Sequence, residues 1–79
     1  MNNKEKLIDT VCQALGVEKE VATGELEYNS IAEWDSVAHM ALIAKLEQEF
    51  DIMLDTDDII DMSSINKAEE ILARYDVVF

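Results

Sequence analysis

Residues that interrupt helices are rare in this sequence, and this constrains its fold more than any other feature. The 79 residues contain no proline and only two glycines, and the β-branched residues are scattered rather than alternating with polar ones. Because 49% of the residues are hydrophobic, the chain is too apolar for a disordered segment. This length suits one domain with a small core, so we expect a single all-α domain spanning residues 1–79.

Apolar residues recur at helical spacing in three long segments. The first runs from about Asn3 to Leu15, where Gly16 supplies the left-handed residue that ends a helix. The second covers Ser36 to about Phe50, and the last begins after the capping pair Ser63-Ser64. The residues expected to face the core are Leu7, Val11, Leu15, Leu42, Ile43, Leu46, Phe50, Ile65, Ala68, Ile71, Leu72 and Tyr75.

A short helix and a long loop complete the expected architecture. Asp55–Asp58 resembles a helix start, and the apolar residues after it predict a helix of about two turns. Residues 17–35 show no period, so we expect a long connection, which could include one helical turn. Its apolar residues are expected to hold it against the helices: Val17, Val21, Leu26 and Ile31. The prediction is a bundle of three main helices plus one short helix.

The net charge is −12, from 18 acidic and 6 basic residues, and it limits the classes of partner. A nucleic-acid-binding protein would need a basic surface, so we expect no nucleic-acid partner. No apolar run approaches membrane-spanning length, and the start of the chain lacks the apolar segment of a signal peptide. Cys12, the only cysteine, can form no internal disulfide. We expect a cytoplasmic monomer whose acidic surface either attracts basic proteins or serves only to keep the protein soluble.

Trp34-Asp35-Ser36-Val37 marks the start of the second helix. Asp35 precedes a helix-favouring run and is expected to cap it, because its carboxylate can accept hydrogen bonds from the N–H groups of the first turn. Ser36 then occupies the first helical position, where the helix dipole favours an anion such as a phosphate ester. Trp34 and His39 have the spacing of a staple that fixes the entry of the chain.

The second helix has a second apolar side, away from its core-facing residues. Val37, Met40, Ala41 and Ala44 lie on this side, which begins beside Ser36 and has Glu47 near its far end. A helix with two apolar sides is either deeply buried or has a partner surface, and in so small a chain we interpret this side as a surface for partner docking. Met40 is the strongest candidate contact, since methionine adapts to varied surfaces.

These residues together resemble the acyl carrier protein family over nearly the whole chain. Asp35-Ser36-Val37 stands where the family has Asp-Ser-Leu, and further similarity lies in residues 46–52, in the acidic Asp55–Asp58 turn and in residues 62–65. The resemblance implies that a phosphopantetheinyl transferase attaches 4′-phosphopantetheine from coenzyme A to the Ser36 oxygen. The chain would then be a carrier rather than an enzyme, holding acyl or aminoacyl groups as thioesters and delivering them to loading and transferring enzymes.

The chain also departs from the family pattern in the second helix. Many fatty-acid carriers have acidic residues early in this helix, where this chain has Ala38 and Ala41. Later acids that could contact partners are retained, namely Glu47, Glu49, Asp57 and Asp58. The departure favours a dedicated, stand-alone carrier of a specialised pathway, such as polysaccharide or secondary-metabolite synthesis, over service to the general fatty-acid synthase.

Three other functions fit parts of the sequence. Ser36 and His39 lie one turn apart on the same helix, so a serine–histidine hydrolase is one alternative, but no glycine-rich elbow surrounds the serine. An EF-hand loop starting at Asp55 would place Ile60 where glycine is required and Asn66 where glutamate is required, so we expect no metal site. An acidic helical adaptor without a prosthetic group shares the fold and surface, and only modification of Ser36 distinguishes it from a carrier.

Overall fold

The computed structural model describes residues 2–79, and Met1 lies outside them. These described residues form four helices: α1 (Asn3–Leu15), α2 (Ser36–Phe50), α3 (Thr56–Asp61) and α4 (Ile65–Ala73). No strand occurs among these described residues, although one isolated β-bridge pairs Glu27 with Ser64. The predicted all-α bundle with a short third helix and a long first loop is therefore confirmed.

Local capping explains where the two long helices begin and end. The side chain of Asn2 accepts a hydrogen bond from the Glu5 N–H at 2.8 Å and so opens α1. Gly16 ends that helix in the left-handed region, with φ of 70°. Asp51 ends α2 in the same conformation, with φ of 53°. The observed bounds of α1 and α2 are those predicted.

One hydrophobic core joins the helices. Leu42, Ile43 and Leu46 of α2 pack beside the apolar stripe of α1, and Phe50 lies half-buried at its edge. The α4 stripe closes the core from the other side, with Ile65, Ala68, Ile71 and Leu72 buried. Tyr75 was predicted to lie in the same helix, and this was wrong, because α4 ends at Ala73 and Tyr75 lies half-buried in the turn after it. The stripe of α1, like those of α2 and α4, was predicted from helical periodicity, and its residues Leu7, Val11 and Leu15 are all buried.

Apolar side chains of the loop of residues 17–35 pack against the core, and they differ in part from those predicted. Val17, Leu26 and Ile31 are half-buried against the core, as expected. Val21 was expected there too, and this was wrong, because it is 41% exposed and Ala22 is buried instead. The N–H groups of both residues donate to the Glu18 carbonyl in a tight turn, which directs the side chain one position later into the core.

Backbone hydrogen bonds attach the same loop to the start of α4. The Tyr28 N–H donates to the Ser63 carbonyl at 2.9 Å, and the Asn66 N–H donates to the Gly24 carbonyl at 2.9 Å. These bonds satisfy polar groups that a long irregular segment would otherwise leave unpaired.

Within residues 2–79, no helix is sufficiently long and apolar to cross a membrane.

Candidate functional site

Ser36 is the first residue of α2 and is exposed to solvent. The Asp35 carboxylate caps the helix, accepting a hydrogen bond from the Ala38 N–H at 2.9 Å, and the Asp35 carbonyl accepts from the His39 N–H. The N–H groups of Ser36 and Val37 are left without an intrahelical partner, as at any helix start. The positions predicted for Asp35 and Ser36 are thus confirmed, and this end of α2 favours negative charge.

The Ser36 hydroxyl pairs with the side chain of Tyr28. Their oxygens, Tyr28 Oη and Ser36 Oγ, lie 2.8 Å apart, so one hydroxyl donates a hydrogen bond to the other. The Tyr28 ring packs 5.1 Å from the ring of His39 and edge-on to the indole of Trp34. This contact could not be predicted, because Tyr28 lies in the irregular loop, where no periodicity indicates the direction of a side chain.

Trp34 and His39 are joined as the staple spacing predicted. The indole is completely buried, and its Nε1–H donates to His39 Nδ1 at 3.0 Å. Because Nδ1 accepts, the neutral ring carries its proton on Nε2, which lies 2.9 Å from the Ile59 carbonyl oxygen and donates to it. His39 therefore connects α2 to the loop before it and to α3.

The geometry of His39 bears directly on the hydrolase alternative. Both of its ring nitrogens are occupied, by Trp34 and by the Ile59 carbonyl, and the hydroxyl of Ser36 is paired with Tyr28 instead. A serine hydrolase needs the histidine hydrogen-bonded to the serine so that it can remove its proton. Ser36 and His39 do not form such a pair.

A cavity of about 350 Å³ adjoins Ser36 between α2 and α3. Its walls are mainly apolar, with the hydroxyls of Ser36 and Tyr28 among its polar groups. The lining residues are Tyr28, Ser36, His39, Met40, Ile59, Ile60, Met62 and Ser63. A group attached to Ser36 would therefore lie next to apolar surface on one side and solvent on the other.

The second apolar side of α2 is exposed, as predicted. Val37 is 80% and Met40 is 55% exposed, and Ala41 and Ala44 are exposed beyond them. On α3, across the cavity from Met40, Ile60 is 77% exposed. We call these five residues the apolar face, and it begins at the residue after Ser36.

The predicted acidic docking residues differ from one another in their surroundings. The Glu47 carboxylate accepts a hydrogen bond from the Leu54 N–H at 2.9 Å. The Asp58 carboxylate accepts from the Tyr75 hydroxyl and from Arg74 Nη1, and its bond with Tyr75 raises the pKa of that phenol. Asp57 is exposed at the start of α3. Glu47 and Asp58 therefore also stabilise the fold.

Metal ligands and the thiol of Cys12 are two further groups with possible chemistry. Among the described residues, no group of three or more His, Cys, Asp or Glu side chains is arranged to hold a metal ion. Cys12 is a free, half-buried thiol in the apolar stripe of α1. Burial, together with the nearby Asp9 carboxylate, raises the pKa of this thiol, which makes it a weak nucleophile at neutral pH.

The fold and the site define a class of protein. A small acidic helical bundle that presents one anchored serine at a helix start, beside an apolar cavity, is suited to carry a group through a phosphate ester. The family model for the phosphopantetheine attachment site matches residues 5–72, and the chain therefore belongs to this family.

A curated relative agrees with this assignment. The chain is similar to an acyl carrier protein of Chlorobium phaeobacteroides, with 28% identity over 71 residues that cover 90% of this chain and 91% of the relative. Members of the family are carriers with covalently attached 4′-phosphopantetheine, so the chain is a carrier rather than a catalyst and is a substrate of a phosphopantetheinyl transferase. Such carriers work with modifying and acyl-transferring enzymes.

Proposed function

We propose that Ser36 is the residue that receives 4′-phosphopantetheine, and that the chain delivers acyl or aminoacyl groups to partner enzymes. The observation that carries the proposal is the exposed Ser36 hydroxyl at the capped start of α2. The residues there fit a phosphodiester, since unpaired N–H groups and the positive end of the helix dipole stabilise an anion. The free thiol of Cys12 fits the reducing cytoplasm, where we place the carrier.

Attachment requires little from the chain beyond an accessible oxygen. Ser36 Oγ attacks the phosphorus nearer the pantetheine in the pyrophosphate of coenzyme A, forming the O–P bond while the bond to the adenosine bisphosphate half breaks. The serine proton passes to a base of the transferase, because His39 is occupied by Trp34 and Ile59. Once bound, the group supplies a thiol that carries the cargo as a thioester.

The proposal is tested by incubating the protein with coenzyme A, Mg²⁺ and a promiscuous phosphopantetheinyl transferase. We expect the intact mass to rise by one phosphopantetheine, and fragmentation of the peptide to place the added mass on Ser36. Modification at another residue would contradict the attachment site. No gain of mass with a transferase that modifies a control carrier in the same assay would leave the acidic adaptor as the better interpretation.

We further propose that the apolar face is the docking surface and that it serves a dedicated pathway. Positions 38 and 41 are alanines, and Glu47 and Asp58 make hydrogen bonds within the chain. The surface around Ser36 is thus more apolar than that of a carrier recognised mainly through its acids. Fatty-acid elongation enzymes that accepted the loaded chain as readily as their own carrier would contradict this assignment.

Replacing Met40 by glutamate is expected to weaken docking. Met40 is 55% exposed beside Ser36, and a charge there would have to be desolvated when a partner covers it. We expect kcat/KM for loading by the transferase to fall by about tenfold, the effect of one central interface residue. Steady-state kinetics with varied carrier concentration measure this change.

A matched control for this substitution is present in the chain. Met53 is 82% exposed in the segment after the far end of α2, so Met53→Glu adds the same charge away from Ser36. We expect loading of Met53→Glu to match that of the unaltered protein. Equal rates for both variants would show that Met40 is not part of the docking surface.

A further inference from the structure

We propose that the Tyr28 hydroxyl positions the phosphodiester once Ser36 is modified, by donating a hydrogen bond to its oxygens and so limiting the directions the arm can take. This inference rests on the proposed attachment at Ser36. It assigns Tyr28 a positioning role through a contact that the unmodified chain already makes, between Tyr28 Oη and Ser36 Oγ at 2.8 Å.

Esterification determines which group donates in this contact. In the unmodified chain either hydroxyl can be the donor. Attachment replaces the Ser36 proton by phosphorus, so Ser36 Oγ can then only accept, and the Tyr28 O–H becomes the donor. The ester oxygen and the phosphate oxygens bonded to the same phosphorus are its acceptors. A hydrogen bond to a charged phosphate is about twice as strong as one between neutral groups.

Tyr28 is held in place before the phosphate arrives. Its backbone N–H donates to the Ser63 carbonyl at 2.9 Å, and its ring packs against His39 and the buried Trp34. The indole and the imidazole are themselves joined by the Trp34–His39 hydrogen bond. Because the ring is already ordered, little conformational entropy is lost when the hydroxyl binds the phosphate.

The surroundings of Ser36 offer little positive charge to a phosphate, which makes the neutral Tyr28 hydroxyl more important as a donor. No lysine or arginine lines the cavity beside Ser36, and the Asp35 carboxylate one residue away adds negative charge. Four of the basic side chains form ion pairs with acids elsewhere, namely Lys4, Lys19, Lys67 and Arg74. At the cavity, the groups suited to bind the phosphate are therefore the helix N–H groups and neutral side chains, and Tyr28 is the side chain in contact with its attachment point.

The test compares the loaded forms of the unaltered protein, Tyr28→Phe and Tyr75→Phe by ³¹P NMR. Phenylalanine keeps the ring and removes only the hydroxyl, and Tyr75 is a matched control because its hydroxyl contacts Asp58 instead. We expect Tyr28→Phe to move the phosphodiester resonance towards that of free phosphopantetheine and to narrow it, as the arm becomes more mobile. Tyr75→Phe should change the resonance far less, because Tyr75 does not line the cavity and Arg74 still holds Asp58 in this variant.

A second measurement needs no substitution. With ¹³C-labelled tyrosine, the Cζ resonance of Tyr28 should shift between the unloaded and loaded protein, while that of Tyr75 stays in place. If Ser36 is loaded and the ³¹P resonance is the same in Tyr28→Phe as in the unaltered protein, the positioning role is overturned and the attachment site stands. Failure of Ser36 to be loaded at all overturns both.

Discussion

Replacing Ser36 by alanine is expected to abolish attachment of phosphopantetheine completely. The substitution removes the only atom at this position that can form the O–P bond, while the Asp35 cap and the hydrophobic core remain. Alanine is a good helix former at an exposed first-turn position, so the fold should persist. Intact-mass measurement after incubation with coenzyme A and the transferase should show no gain, and circular dichroism should show the unaltered helical signal.

Two serines in the chain provide matched controls for this result. Ser63 lines the same cavity but lies outside any helix start, and Ser30 lies in the loop, where its hydroxyl donates to the Glu27 carbonyl. Ser63→Ala and Ser30→Ala should both be loaded to completion. Loading of Ser36→Ala, or loss of loading in Ser63→Ala, would mean that a different hydroxyl is the attachment point.

Replacing Trp34 by alanine is expected to remove most of the stability of the fold. The indole is 0% exposed, and truncation of a buried tryptophan or phenylalanine to alanine costs about 3–5 kcal/mol. The substitution also removes the donor that pairs with His39 Nδ1. Domains of this kind have about 5–15 kcal/mol of stability in total, so a small one has little left after such a loss.

Urea unfolding followed by circular dichroism measures this effect, since Trp34 is the only tryptophan and its fluorescence is lost with it. Trp34→Phe is the control, because it fills most of the space and removes only the N–H donor together with part of the ring. We expect the loss in Trp34→Phe to be clearly smaller. A loss of less than about 1 kcal/mol in Trp34→Ala would contradict a central role for the indole in the core.

The parts of the fold that could be predicted are those fixed by neighbouring residues. The bounds of α1 and α2 follow from Gly16 and Asp35, whose conformations depend on residues within one turn of them. The exposed position of Ser36 follows from the same cap. Helical periodicity likewise placed the buried residues of α2 and α4 correctly, because it is repeated several times within each helix.

The parts that could not be predicted depend on contacts between residues distant in sequence. The loop of residues 17–35 has no period, so the burial of Ala22 in place of Val21 had no signal. The contact of Tyr28 with Ser36 depends on how that loop is tied to Ser63. Asp58 accepts a hydrogen bond from Tyr75, which lies 17 residues later in the sequence. The sequence alone does not distinguish a carboxylate with such a partner from one that is exposed to solvent.

The brevity of α3 has a consequence for the space beside the attachment site. Six residues are too few to form a stable helix in water, so the placement of α3 depends on outside supports. Two of these come from beyond α4, where Arg74 and Tyr75 hold Asp58, and a third comes from His39 through the Ile59 carbonyl. Arg74 and Tyr75 do not line the cavity, yet they help to hold the helix that forms its wall. The room available to a cargo is therefore governed in part from the opposite end of the bundle.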